Sequence, residues 1–359
     1  MWADRRLLDL LGIAHPIIQA PMLGTATPEL AAAVSEAGGL GSIGCGTNDA
    51  ALVEKASRDL RRLTDAPFNL NFFVLPEAAP FPLEKVARLS DRLRPDFERL
   101  DAGSPPQSLP GQPAFPKDEV INALAHLRPR VVSFHFGCPA PSQMERLRLA
   151  GIVTLATATT VSEAEHLASC GIDAIIAQGW EAGGHRGSHR PNGLQDGIGT
   201  LALVPQIVDA VALPVIAAGG IADGRGIAAA LALGASAVQM GTAFTGCPEA
   251  ATEAERLALL RQARDTDTMM TDAFSGRAAR AVRSPYALAM TDLAAQLPAY
   301  PAMYAFSDPL VEAGAGQEDP FASFHLYGQA ARLTRFLPAS ELVGVLVAET
   351  QARIAQLSR

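Results

Sequence analysis

Two histidines lie in segments whose composition favours chemistry. His185 follows a glycine pair in AQGWEAGGHRGSH at 177–189, where small residues let the backbone come close to a bound molecule. His135 lies near the end of the apolar run VVSFHFG at 131–137. Imidazole is the side chain that most often transfers protons near neutral pH. We therefore predict a catalytic role for both, against the alternative that each histidine only packs in the core.

Amide side chains lie near the carboxyl ends of other apolar runs, as His135 does in its own run. Asn71, Gln178 and Gln239 occupy such positions, and in FNLNFFV at 68–74 the asparagines alternate with apolar residues. Alternate residues of a strand point to opposite faces, so the polar side chains share one face. A buried polar side chain is costly unless it is hydrogen-bonded. Four such residues on four strands, His135 included, indicate a polar ligand, although neighbouring backbone can satisfy any one of them.

Two glycine-rich segments follow consecutive strands near the middle of the chain. They are PVIAAGGIADGRG at 214–226 and GTAFTGCPEA at 241–250. Glycine lets the backbone approach an anion, and free amides at the start of a following helix can hold phosphate. Neither segment matches a nucleotide-binding fingerprint, and two ordinary tight turns are the alternative. Because the two segments follow neighbouring strands, we predict a phosphate site on the turns 219–224 and 241–246.

Eight short apolar runs would position these residues, and helix-like segments rich in Ala, Leu, Glu and Arg separate them. The runs span 16–22, 39–44, 68–74, 131–137, 151–158, 174–180, 214–220 and 237–244. Eight strand–helix alternations predict an α/β fold, a (β/α)8 TIM barrel. A doubly wound sheet is the rival architecture, but it usually needs fewer strands. In a barrel the chemistry takes place at the carboxyl ends of the strands, where the polar residues above fall.

The segments outside this pattern predict an insertion. Residues 245–338 carry short helices, several tyrosines and prolines and the segment AFSGRAARAVRSP. We predict that they form a smaller, mainly helical cap inserted after strand eight, on a barrel built from 1–244 and 339–359. The proline-rich stretch 76–118 is predicted as an excursion that contains one helix. The helical periodicity of 340–357 predicts the last helix of the barrel.

Composition excludes several classes of protein. The 359 residues are 48% hydrophobic and 18% charged, which excludes a disordered chain and allows a large core. The 29 basic and 37 acidic residues give a net charge of −8, which disfavours nucleic-acid and membrane-surface partners. Four widely spaced cysteines predict no metal site and favour reduced thiols in the cytoplasm. Neither a convincing signal peptide nor an apolar run of about 18 residues is found.

Several ordered motifs resemble the nitronate monooxygenases, which are FMN-dependent barrels. The matching motifs are IIQAPM, NLNFF, VSFHFG, AQGWEAGGHRG, AAGGI and QMGT, followed by AFSGRAARAVRS and LPAYP. They extend over about two-thirds of the chain, and the early IIQAPM and the AGGH loop are most similar to class I enzymes. The resemblance therefore implies a TIM barrel that binds FMN.

The resemblance also assigns residues to roles. His185 occupies the position of the catalytic histidine, and His135 lies close enough to act beside the flavin. Tyr300 and Tyr304 are implied as substrate contacts. The residues implied to hold FMN are Met22, Asn71, Gln178, Gly183, Gly220, Gln239, Met240, Gly241 and Thr242.

The implied reaction is the oxidation by dioxygen of an alkyl nitronate, with a nitroalkane as the alternative substrate. One-electron transfer to flavin would lead to a carbonyl compound and nitrite. Protonated His185, or its N–H group, would hold the nitronate oxygens, which is the expected role for preformed nitronates. Neutral His185 would instead take the α-proton of a nitroalkane. The sequence predicts no oligomeric state.

Two other functions are compatible with the same residues. A related flavin barrel with a similar AGGH loop reduces enoyl-thioesters with NAD(P)H, and a quinone reductase is a variant of this alternative. The third possibility is a protein that binds flavin or a phosphate ligand without catalysis. The inward-facing histidines argue against that last interpretation.

Overall fold

A parallel eight-stranded barrel forms the centre of the computed structural model, which describes residues 2–190 and 197–358. The barrel strands are β1 (Ile17–Gln19), β2 (Gly41–Gly46), β3 (Phe68–Phe73), β4 (Val131–His135), β5 (Val153–Ala158), β6 (Ala174–Gln178), β8 (Val215–Ala218) and β9 (Ala237–Met240). The remaining strands are β7 (Gly184–His185), β10 (Thr268–Thr271) and β11 (Ala279–Val282), which form a second sheet. Each predicted apolar run overlaps one barrel strand, and β2 extends two residues beyond its run at 39–44.

The eight barrel strands pair in the order β1-β9-β8-β6-β5-β4-β3-β2. The two ends of this order meet where Leu40, just before β2, forms a parallel bridge with Ile18. Leu40 donates its amide to the carbonyl of Ile17 at 3.0 Å and accepts the amide of Gln19 at 2.9 Å. This closure confirms the predicted TIM barrel and excludes an open, doubly wound sheet.

Thirteen α-helices accompany the strands in the part of the chain that the structure describes. They are α1 (Arg6–Leu11), α2 (Pro28–Glu36), α3 (Ala50–Arg61), α4 (Leu83–Arg99), α5 (Asp118–Leu127), α6 (Pro141–Leu149), α7 (Val161–Ser169), α8 (Thr200–Ala210), α9 (Gly224–Ala232), α10 (Ala254–Arg261), α11 (Pro285–Ala289), α12 (Tyr304–Gly316) and α13 (Ala339–Leu357). Helix α13 packs against α9 and α2, as predicted for the last helix of the barrel.

Local signals explain where several helices begin. At α2, Pro28 takes the first helical position and the Thr27 hydroxyl accepts the Leu30 amide at 3.0 Å. At α7, the Thr160 hydroxyl accepts the amide of Glu163 at 3.2 Å. Such caps satisfy amides that have no partner within the helix, so they fix where the chain leaves each strand.

Alternation along the strands divides the core into two layers. Phe68, Leu70 and Phe72 of β3 point outward and join the large cluster beneath the helices. A second cluster fills the amino-terminal end of the barrel, where Leu7, Leu8 and other apolar residues of α1 pack under the strands. The carboxyl-terminal end is therefore the open end of the barrel, as barrel enzymes require.

The chain between β9 and α13 packs together with the excursion after β3. Buried residues of α4 share one hydrophobic cluster with Phe274, Tyr286, Met303 and Phe306. In the second sheet, β11 pairs antiparallel with both β10 and β7. The division into a barrel of 1–244 and 339–359 and a cap of 245–338 remains a prediction, and α4 packs across that division.

Among the described residues, no helix is both long enough and apolar enough to cross a membrane.

Candidate active site

A cavity of about 400 Å³ opens at the carboxyl ends of the barrel strands. All thirteen side chains and glycines singled out in the sequence line this one cavity. They are Met22, Asn71, His135, Gln178, Gly183, His185, Gly220, Gln239, Met240, Gly241, Thr242, Tyr300 and Tyr304. The fold thus brings together residues that lie up to 282 positions apart, because consecutive parallel strands end at the same face.

Strand β7 fixes the position of His185. Gly184, with φ of 78°, turns the chain out of the loop, and His185 then pairs with Ala279 of β11. The imidazole Nε2 lies 2.9 Å from the hydroxyl oxygen of Ser275. His185 is therefore held through its backbone and its ring by the chain segment that precedes and forms β11.

His135 supports His185 from the neighbouring strands. Its Nε2 lies 3.1 Å from the carbonyl oxygen of His185, and its Nδ1 lies 3.0 Å from the Thr157 hydroxyl. A carbonyl oxygen only accepts, so Nε2 of His135 carries the proton and Nδ1 accepts the threonine hydroxyl. Both ring nitrogens of His135 are thus occupied, and its imidazole holds the backbone of His185 in place.

Gln178 completes this support. Its Nε2 donates to the same carbonyl of His185 at 3.0 Å, and its Oε1 accepts the amide of Gly187 at 2.7 Å. The side chain therefore fixes both ends of the short segment that carries His185. Gln178 was assigned to the cofactor from the sequence, and the structure shows that its side chain hydrogen-bonds to the loop that carries His185.

Both histidines are neutral at neutral pH. Burial, together with smaller effects of the nearby His135 and Arg277, lowers the pKa of His185 to about 3. Burial also lowers the pKa of His135 to about 4, against a smaller opposing effect of its hydrogen bond to the His185 carbonyl. The free site consequently presents a neutral imidazole at position 185. This differs from the protonated His185 that was one of the two expected forms.

Aromatic rings form the wall next to His185. The Tyr300 ring meets the imidazole edge-on, with centroids 5.4 Å apart, and Phe73 and Phe136 lie within 6.4 Å of it. Burial raises the pKa of Tyr300 to about 12 and also raises the pKa of Tyr304. Both tyrosines therefore remain neutral phenols that can donate a hydrogen bond into the cavity.

A buried cation lies behind this wall. The guanidinium of Arg277 stacks 3.8 Å from the centroid of the Phe136 ring and donates to the carbonyl of Ser188. Burial lowers the pKa of Arg277 to about 10, so the side chain keeps its charge at neutral pH. Its charge is one reason why protonation of His185 is unfavourable.

The opposite wall offers groups that suit a polar ligand. The Oε1 atom of Gln239 is buried and has no hydrogen-bond partner among the described residues. Such an acceptor is costly unless a ligand donates to it. Gly219 and Gly220, at the end of β8, have φ of 105° and 73°, so backbone without side chains faces this region. The hydroxyl oxygen of Thr242 is fixed by the amide of Gly328 at 2.9 Å.

Comparison with known proteins identifies the family. A family model described as nitronate monooxygenase matches residues 4–349. The chain belongs to the nitronate monooxygenase family. Nitronate monooxygenases from Paraburkholderia phytofirmans and Pseudomonas aeruginosa are each 45% identical to it. The first alignment covers 98% of this chain and 97% of the relative, and the second covers 96% and 98%. The chain is accordingly an oxidoreductase.

Solved structures agree with this family. A nitroalkane oxidase from Streptomyces ansochromogenes matches with a TM-score of 0.84 and 39% identity, over 98% of this chain and 99% of that one. FabK from Thermotoga maritima matches with a TM-score of 0.75 and 31% identity, over 98% of both chains. The fold is therefore shared by the nitronate monooxygenase family and by at least one other group of proteins.

Sequence reasoning missed several residues of this nitronate monooxygenase site. Ser275, Thr157 and Phe136 contact the two histidines, and Arg256 lines the cavity near Thr25. Ser275 lies in AFSGRAARAVRS, a segment that the sequence marked as similar to the family without assigning it a contact. In a continued strand, Phe136 would lie on the face opposite to its neighbour His135. Its φ of 77° departs from strand geometry, and its ring contacts the histidines.

Proposed function

We propose that this enzyme oxidises alkyl nitronates by dioxygen to carbonyl compounds and nitrite. The observation that carries the proposal is a neutral imidazole, His185, held at the edge of a cavity that is walled by two neutral tyrosines. Membership of the nitronate monooxygenase family and the similarity to a nitroalkane oxidase support it. Four free cysteines support a cytoplasmic location for this activity.

Enzymes of this family use flavin, and the residues of the cavity fit FMN. The Oε1 of Gln239, which has no partner in the part of the chain that the structure describes, would accept a hydrogen bond from the ring system. The turns that contain Gly220 and Gly241 would hold the phosphate. Met22, Met240 and Gly183 line the same cavity and would contact the cofactor together with Asn71. When bound, FMN would supply the one-electron oxidation of the substrate and the reaction with dioxygen.

The protein's own groups then divide into two roles. His185 faces the cavity and handles the proton, whereas His135 holds its carbonyl with both ring nitrogens occupied. Tyr300 donates a hydrogen bond to the substrate's nitro oxygens, because burial keeps its phenol protonated, and Tyr304, which also hydrogen-bonds to Ser275, lines the same pocket. His135 is thus a positioning residue for His185 in this proposal.

The low pKa of His185 predicts which form of substrate is preferred. A base whose pKa lies near 3 is weak, so removal of the α-proton from a neutral nitroalkane is slow. A preformed nitronate has already lost that proton and needs only to be bound and oxidised. We therefore propose that nitronates are the better substrates and that nitroalkanes are used slowly.

A second candidate function follows from the similarity to FabK. An NAD(P)H-dependent flavin reductase acting on enoyl-thioesters or quinones would share this barrel. Such an enzyme needs a pyridine nucleotide to reach the flavin through the same cavity.

An oxygen-electrode assay of the purified flavoprotein separates these functions. We expect rapid oxygen uptake and nitrite release with ethyl nitronate, slower uptake with nitroethane, and little reaction with NADH. Rapid anaerobic bleaching of the flavin by NADH, without nitrite from the nitronate, would instead establish the reductase. Bound flavin that reacts with none of the three would leave a binding protein.

A further inference from the structure

Ser275 contacts the ring of His185, the histidine that faces the cavity. It lies at the turn before β11, and only 1% of the residue is exposed. Its hydroxyl oxygen lies 2.9 Å from Nε2 of His185, although the two residues are 90 positions apart. A hydroxyl in this position can fix both the orientation and the tautomer of the ring.

The other contacts of Ser275 decide which atom donates. The hydroxyl donates to the carbonyl of Arg277 at 3.1 Å, and its oxygen accepts the Arg277 amide at 3.3 Å. A serine hydroxyl has one proton and two lone pairs. The Tyr304 hydroxyl also hydrogen-bonds to Ser275. When the serine donates its proton to the Arg277 carbonyl, its remaining lone pair is available to His185 and Tyr304, and a hydrogen bond from His185 requires a hydrogen on Nε2.

The opposite direction of the hydrogen bond, from the Ser275 hydroxyl to Nε2 of His185, is less favourable. If the serine proton turned to His185, the Arg277 carbonyl would lose the hydrogen bond from Ser275. Within the described part of the chain no other donor to that carbonyl is found. Leaving a buried carbonyl without a donor costs roughly 1–3 kcal/mol.

We propose that Ser275 is a second positioning residue of His185, which accepts Nε2–H on its oxygen so that Nδ1 presents its lone pair to the cavity. Nδ1 has no hydrogen-bond partner among the described residues, and His185 lines the cavity. Nδ1 is then the atom that accepts the α-proton of a nitroalkane: the C–H bond breaks, its electron pair stays on the substrate as the nitronate, and Nδ1–H forms. This assignment rests on the proposed function.

The surrounding chain keeps Ser275 in place independently of its hydroxyl. Gly276, with φ of 79°, packs so closely against the chain at 298–300 that an added Cβ would lie 2.0 Å from the carbonyl oxygen of Pro298. A few residues later, Ala279 and Arg280 of β11 pair with β7. Removing the hydroxyl should therefore free the imidazole without unfolding the site.

The test compares Ser275→Ala and Ser275→Thr with the control Ser90→Ala. Ser90 is an equally buried serine whose hydroxyl donates to Pro106, in the cluster around α4 and away from the histidines. Each variant is measured for flavin content, for kcat and KM with nitroethane and ethyl nitronate, and for the ¹⁵N shifts of the histidine rings. The His185 signals are assigned by their absence from His185→Asn.

For the wild type we expect ring shifts of an Nε2-protonated His185 with a free Nδ1. Ser275→Ala should retain FMN, mix the two tautomers and lower kcat for nitroethane by about 10–100-fold, the typical effect of a misplaced catalytic group. Turnover of ethyl nitronate should fall much less, since no carbon-bound proton is removed. Ser275→Thr should restore the wild-type tautomer, and Ser90→Ala should match the wild type.

An Nδ1-protonated His185 in the wild type would overturn the proposal, as would unchanged tautomers and nitroethane kinetics in Ser275→Ala. Equal losses with both substrates and in Ser90→Ala would show a merely structural role and would also overturn it. If the wild type oxidises neither substrate, the proposed function fails, and the ring shifts still decide the assignment of Ser275.

Discussion

At the scale of single residues, His185 carries the chemistry in our proposal because its imidazole faces the cavity. Replacement by asparagine keeps a hydrogen-bond donor and removes the base. We expect His185→Asn to retain flavin and to lose about 10²–10⁴-fold in nitroethane turnover, with a much smaller loss for ethyl nitronate. Steady-state assays with both substrates measure this difference. Near-normal nitroethane turnover would move the catalytic assignment to His135.

The pH dependence follows from the same residue. A free-enzyme pKa near 3 means that His185 is already deprotonated throughout the neutral range. We expect kcat/KM for nitroethane to show no loss with an apparent pKa near 6.5 as the pH falls from 8 to 5, because the base is not yet protonated there. A loss in that range that disappears in His185→Asn would contradict this pKa.

Two glycines of the proposed phosphate site are not equivalent as probes of the cofactor. Gly220 has φ of 73°, and an added Cβ would lie 3.2 Å from Glu181, so Gly220→Ala is strained even without FMN. An added Cβ at Gly241 would make an ordinary contact of 3.4 Å with Ala20.

We therefore expect Gly241→Ala to keep the stability of the flavin-free protein and to lose FMN affinity. Gly220→Ala should lose both, since positive φ costs a side chain about 1 kcal/mol or more. Flavin titration and thermal unfolding of the flavin-free proteins separate the two effects. Full FMN retention by Gly241→Ala would move the phosphate away from this turn.

At the scale of elements, the pairing of β7 with β11 decides where His185 lies. Arg280 of β11 donates twice to the carbonyl of Trp180, at 2.8 and 3.1 Å, and once to Thr268 of β10 at 3.1 Å. Lysine cannot reproduce this forked geometry. We expect Arg280→Lys to lower the unfolding free energy by about 1–3 kcal/mol and to reduce turnover of both substrates.

Arg283→Lys is the matched control for this prediction, because Arg283 is exposed and lies just beyond β11. Denaturant titration and steady-state assays of both variants measure the effect. Wild-type activity in a destabilised Arg280→Lys would show that the second sheet contributes to stability without positioning His185.

At the scale of the whole molecule, the buried neutral histidines make the fold sensitive to acid. The pKa values of the two histidines in the folded protein, about 4 and about 3, lie below the ordinary 6.5. At any pH between the folded value and 6.5, the unfolded chain therefore binds more protons than the folded protein does. The stabilisation is fully present above pH 6.5 and is lost as the pH falls towards 4. Each histidine contributes a slope of up to about 1.4 kcal/mol per pH unit.

Denaturant unfolding at pH 7, 6 and 5 measures this slope. We expect His185→Asn to reduce it, whereas His126→Asn, at an exposed position of α5, should leave it unchanged. An identical slope in His185→Asn and in the wild type would show that His185 is not held neutral in the fold.

The sequence by itself determined the barrel and the neighbourhood of the site. Apolar runs, glycine turns and helix caps are local signals, and the ends of eight parallel strands must meet at one face. For this reason the sequence alone was enough to place four polar residues at one cavity, namely Asn71, His135, Gln178 and Gln239. The family resemblance then implied FMN as the cofactor and a catalytic position for His185, and both remain proposals.

Only the tertiary structure decided which side chains of the site contact each other. That Ser275 would contact an imidazole 90 residues earlier depends on how β11 pairs with β7, which no local pattern encodes. The roles of the two histidines were also undetermined, because a ring's tautomer and pKa follow from its hydrogen-bond partners and its burial. Gln239 was one amide among several in the sequence, whereas in the folded chain its Oε1 is buried without a partner among the described residues. These properties belong to contacts between distant segments, so they exist only once the chain has folded.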